Sequence, residues 1–124
     1  MSVRTYFAIF AILSLLFGIG FVLAPGSVLA NYGITTTPAV AVMSRLFGGT
    51  LFALAIIQWM ARDLDASTIR AVLIGLGVAD AINCIVAIAA TTAGTINALG
   101  WSTVLIYLVG TLGAGYFVMN PSQR

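Results

Sequence analysis

Histidine and lysine are absent from this sequence of 124 residues, and only 6% of it is charged. Losing histidine removes the commonest general base near neutral pH and the commonest metal ligand. The single cysteine, Cys84, excludes an internal disulfide and any paired-cysteine redox motif. It stands in an apolar run and reads as a small buried hydrophobe. A water-facing domain carries about 25% charged residues, so a surface this poor in charge is made for lipid. No metal or cofactor is implied. The net charge of +2 is too small to mark a nucleic-acid partner. A chain with so few acids and bases is also poorly equipped for catalysis, although an aspartate and an arginine within the membrane leave an enzyme acting on a lipid-soluble substrate conceivable.

What the sequence has is apolar length: 61% of it is hydrophobic, with a mean hydropathy of +1.14. Four runs stand out, at about 5–24, 39–61, 67–90 and 97–119. Each is about 20 residues or longer, and at roughly 1.5 Å per residue each can cross the hydrocarbon core as a helix. The expectation is an all-α, four-helix transmembrane bundle of two antiparallel hairpins, forming a single domain over 1–124. The first run follows Arg4 and precedes Val28-Leu29-Ala30, which gives it some likeness to a signal peptide. It exceeds the usual signal core of about 7–15 residues, so a membrane helix is the better reading.

Proline and glycine punctuate the runs. Pro25-Gly26 ends the first, and the uncharged connection to Pro38 holds Asn31-Tyr32-Gly33. Its middle, Ser27 to Gly33, suits a helical turn at the interface, where Tyr32 belongs. The second connection, Arg62-Asp63-Leu64-Asp65, is short and charged, with Asp65 or Ser67 as N-cap. So tight a turn predicts that the second and third runs pair as a hairpin. The last run lies between Asn97-Ala-Leu-Gly-Trp101 and Asn120-Pro121. Trp59, Trp101 and Tyr116 suit the interfaces. Arg4, Arg62, Asp63, Asp65, Arg70 and Arg124 would all fall on one side, and the positive-inside rule makes that side cytoplasmic, with both termini inside. The matching localisation is a bacterial inner membrane.

Two charges remain within the apolar runs, Arg45 in the second and Asp80 in the third. An intramembrane charge is costly and should face protein or trapped water. The apolar residues of the second run supply roughly −3 to −5 kcal/mol toward insertion, against roughly +2.5 to +3.5 for its arginine. Counting along the helices puts Arg45 roughly 9 Å and Asp80 roughly 15 Å below the outer surface, within reach of each other. The expected site is therefore an Arg45–Asp80 pair with Asn83, and with Asn97 and Trp101 at the outer rim. Gly48, Gly49, Gly110 and Gly113 are expected to let helices approach closely. An ion pair fixing helix register and a pocket for a ligand or proton both fit these residues.

Three short motifs, Tyr32-Gly33-Ile34, Arg45-Leu-Phe-Gly-Gly49 and Asn97-Ala-Leu-Gly-Trp101, resemble those of small bacterial four-helix membrane proteins grouped loosely as DoxX-like. The resemblance implies the same architecture and supports Arg45 as a site, and it implies no settled reaction. Small multidrug transporters share the length and helix number, but their essential glutamate lies in the first helix, where this chain has Ser14. The expected function is a small structural or accessory subunit, in contact with the lipid bilayer and set in a homo-oligomer or a larger membrane complex. The alternative is a ligand binder or small transporter built on the Arg45–Asp80 pocket.

Overall fold

The computed structural model describes residues 1–120. It is all-helical, and the described residues contain no strand. Arg124 lies outside them. Four long helices, α1 (Val3–Leu23), α3 (Pro38–Ala61), α4 (Ala66–Thr92) and α5 (Gly100–Met119), are long and apolar enough to cross a membrane. A short helix, α2 (Pro25–Asn31), fills the first connection where a single turn was expected.

The helix boundaries follow from local chemistry. Ser2 caps α1 by accepting from the Thr5 N–H at 3.2 Å. Thr37 does the same for Val40 at 3.3 Å, with Pro38 in the first turn, where its missing N–H costs nothing. Asp65 caps α4 and accepts the N–H groups of Ser67 and Thr68, both at 3.0 Å. The last helix starts at Gly100 rather than Asn97. Asn97 donates its backbone N–H to the Tyr32 carbonyl at 2.9 Å, and its side chain takes up the Leu99 N–H, also at 2.9 Å. It therefore ties off the loop instead of entering the helix.

The helices pack in two pairs, α1 on α3 and α4 on α5. The second and third apolar runs, joined by the tight charged turn, scarcely touch. The hairpin expected from that turn gives way to pairing across the longer connections, because the packing surfaces lie there. Gly18 and Gly48 form the α1–α3 crossing: a Cβ on Gly48 would stand 2.9 Å from the Gly18 carbonyl oxygen and 2.8 Å from Val22. Gly77 on α4 meets Ala114 on α5. Gly49, expected on the packing face beside Gly48, has nothing within 4 Å. The two residues are successive on a helix and point about 100° apart.

All four long helices meet in one apolar cluster. It joins the start of α1 (Val3, Tyr6, Phe7), the end of α3 (Ala61), the start of α4 (Ile69, Leu73) and the end of α5 (Ala114, Phe117). Leu16, Ile56, Ile85 and Leu112 stand exposed on the outer faces, an apolar covering that lipid accepts and water would not. Several hydroxyls within the spans turn back onto their own helices. Ser44 donates to the Val40 carbonyl at 2.8 Å and Thr91 to Ala87 at 2.7 Å, so neither is left unpaired in an apolar medium.

Candidate functional site

Between the two helix pairs, above the four-helix cluster, lies a cavity of about 280 Å³. That is close to the lower end of the range typical of small-molecule sites. Its walls are mostly apolar and aromatic, with Phe10, Phe17, Phe21 and Phe47 contributed by α1 and α3. A few polar groups converge on it: Asp80 and Asn83 from α4, Tyr107 and Thr103 from α5, Tyr32 beyond α2, and Gln58 from α3.

Asp80 stands at the middle of α4, roughly 20 Å from either end. Its seat is made by Gly110. A Cβ there would collide with the Asp80 carboxylate, whose Cγ lies 2.9 Å from that point. The carbonyl of Gly110 accepts a hydrogen bond from the Tyr6 hydroxyl at 2.8 Å, and the Tyr6 ring in turn fills the space that a Gly113 side chain would need. Tyr6 thus ties α1 to α5 directly beside the aspartate. Asp80 has no ion-pair or hydrogen-bond partner among the described residues.

The pairing expected from depth does not form. Arg45 is exposed and donates from Nε to the Val22 carbonyl at 3.3 Å. Val22 lies in the last turn of α1, whose carbonyls lack partners within the helix and carry the negative end of its dipole. The guanidinium therefore serves a helix terminus instead of a carboxylate. Among the described residues the ion pair is Arg4–Asp63 at 2.6 Å, between exposed side chains, where it adds little to stability.

The remaining expected site residues divide. Asn83 shares the cavity with Asp80. Asn97 does not line it: its side-chain amide donates to the Asn31 carbonyl at 2.8 Å and holds α2 against the start of α5. Gly33 sits beside Asn97 with φ of 76°, a conformation that glycine accepts readily. The Tyr32 and Thr103 hydroxyls, 3.0 Å apart, make a second tie across the same region. Trp101 is exposed and stands outside the cavity. Cys84 is buried, with its Sγ 3.8 Å from the Val104 carbonyl oxygen.

Sequence reasoning passed over Tyr6, Tyr107 and Gln58. The signals were present. Tyrosine prefers the membrane interfaces, so Tyr107, well inside its span, is out of place there. Gln58 is an amide between Ile57 and Trp59 and needs a protein-facing side. It is only 4% exposed, and its Oε1 has no hydrogen-bond partner. Among the described residues no group of three or more His, Cys, Asp or Glu side chains could hold a metal ion. The cavity thus combines aromatic walls with an unpaired carboxylate and a residue whose buried amide oxygen lacks a partner. No family model, curated protein or solved structure matches this chain.

Proposed function

We propose that this chain is a multi-pass protein of a bacterial inner membrane that binds a small, mainly apolar molecule between its two helix pairs, with Asp80 as the polar anchor. One observation carries the reading: an intramembrane carboxylate lines an apolar cavity and has no ion-pair or hydrogen-bond partner among the described residues. A carboxylate held only for structure would be expected to have a cationic or hydrogen-bonding partner, since the unpaired group is expensive in such surroundings. Arg45, outside the cavity, is not part of this site.

On this reading the pairs α1–α3 and α4–α5 are antiparallel hairpins with both termini in the cytoplasm. The shared cluster of helix starts and ends supports the alternation. So does the Arg4–Asp63 contact, and the arginines and aspartates gathered at that end satisfy the positive-inside rule. Kinship with DoxX-like proteins belongs to the same proposal. Two of its motifs meet at the tie between Tyr32-Gly33 and Asn97.

A second reading, an accessory subunit or homo-oligomer, draws on Gly49, Gly75 and Gly115. No atom stands near where a side chain would be at any of them, so they leave close approach open to another helix. Native mass spectrometry of the gently purified protein separates the two. A bound small molecule, kept by the wild type and lost in Asp80→Asn, is the expected result. A co-purifying larger protein without any small molecule would favour the accessory reading instead.

A further inference from the structure

The cavity has two polar ends to satisfy, and together they restrict what fills it. Asp80, on α4, offers two acceptor oxygens. Gln58, on α3, is 96% buried by the complement of its 4% exposure, lines the same cavity and has an unpartnered Oε1. Both sites accept hydrogen bonds. A buried acceptor left without a donor is a standing cost in an apolar medium, and an occupant that donates to it removes that cost.

The two side chains line the same cavity from helices that meet in the four-helix cluster. Ala61, about one turn beyond Gln58, packs in the four-helix cluster with Leu73, which is about two turns from Asp80. With Ala61 and Leu73 at one level, roughly 6 Å separates the two backbones along the bundle axis. Side chains lean toward the N-terminus of their own helix. With α3 and α4 antiparallel, as in the reading above, Gln58 leans toward the level of Asp80 and Asp80 toward the level of Gln58, and a long amide side chain covers much of the difference along the axis. The surrounding phenyl rings of Phe10 and Phe47 suit an apolar body and also favour a cation over their faces. Among the described residues no cationic side chain lines the cavity.

Resting on the binding reading above, we infer that the occupant is a protonated primary amine carried on an apolar or aromatic body, with its ammonium N–H groups shared between the Asp80 carboxylate and the Gln58 amide oxygen. The carboxylate supplies charge neutralisation, which any cation would use. The amide supplies an acceptor that a primary ammonium can use and a quaternary one cannot. A quaternary ammonium satisfies the first and not the second, and a neutral alcohol gains no charge pairing.

The test uses the full chain in detergent and equilibrium dialysis against tryptamine, its trimethylammonium analogue and tryptophol, three ligands that share one ring system. Tryptamine is expected to bind roughly tenfold or more tightly than tryptophol, the scale of one charge-assisted hydrogen bond. The quaternary analogue is expected to fall between them. In Gln58→Leu the gap between the two cations should narrow, and in Asp80→Asn both should drop to the level of tryptophol. Tryptophol binding as well as tryptamine, or the two cations binding equally to the wild type, would overturn the amine assignment while leaving an apolar binding site standing. If none of the three binds, both the assignment and the binding reading fall. The ligand series on the wild type decides the matter even if a variant fails to fold.

Discussion

Asp80 and Gly110 occupy one space: the carboxylate on α4 rests where the side chain of residue 110 on α5 would otherwise be. The same glycine accepts the Tyr6 hydroxyl through its carbonyl. One backbone position therefore seats the anchor of the cavity and holds α1 to α5. Gly110→Ala should displace the carboxylate and strain the contact between α4 and α5. The expected cost is about 1–3 kcal/mol, as for other overpacked sites, with loss of ligand binding. Thermal unfolding in detergent reads the first effect and equilibrium dialysis the second. Unchanged values for both would show that the carboxylate has another seat.

Arg45 and Asp80 serve different partners, so their removal should be independent. In a double-mutant cycle of Arg45→Ala and Asp80→Ala, the two stability changes should add within about 0.5 kcal/mol. An interaction energy above about 1 kcal/mol would mean that the guanidinium reaches the carboxylate after all. Arg45→Ala alone should weaken the end of α1, where the Val22 carbonyl loses its donor.

Neighbouring glycines on α3 should respond oppositely. Gly48→Ala puts a methyl against Val22 and the Gly18 carbonyl and should cost about 1 kcal/mol or more. Gly49→Ala meets nothing and should be neutral or stabilising by up to about 1 kcal/mol through helix propensity. Equal effects in a thermal-shift comparison would contradict the α1–α3 crossing described above.

The α4 cap gives a pH signature. Hydrogen bonds from the Ser67 and Thr68 side chains, together with their backbone N–H groups, hold the Asp65 carboxyl well below the usual carboxylate range. A depressed folded value means that the carboxylate's contribution is complete above the unfolded value of about 3.9 and is lost as pH falls through the folded one. The stability difference between wild type and Asp65→Ala should therefore be flat from neutral pH to about pH 5 and shrink below about pH 4. Asp65→Asn, which keeps an N-cap oxygen, should be the milder change at neutral pH. A difference that grows on acidification would refute the assignment.

The four spans were legible because lipid imposes a length and a polarity that few sequences meet by accident, and because Thr37-Pro38 and Asp65 mark helix starts in their own chemistry. Asp80 and Asn83 were legible for the same reason, as polar residues where polarity is costly. The partner of Arg45 was not legible. Counting residues gives depth along a helix, but contact also depends on which way each helix is turned, and that is set by packing. Glycines at 18 and 48 turn α3 so that Arg45 faces the end of α1. Gln58 lies within about one turn of the end of its span, where an amide can reach water, and only the cavity reveals that it is enclosed.

The two helix pairs share their tightest packing at one end, with the cavity beyond it. If an occupant fills that gap, it supplies contacts that the chain does not make for itself. Mass action then ties the folded fraction to the supply of the occupant, with stability rising by about 2.7 kcal/mol at a hundredfold excess over its dissociation constant. Cells lacking the molecule would keep less of the protein, through faster turnover of an emptied bundle. Abundance in the membrane would itself report how much of the molecule is there.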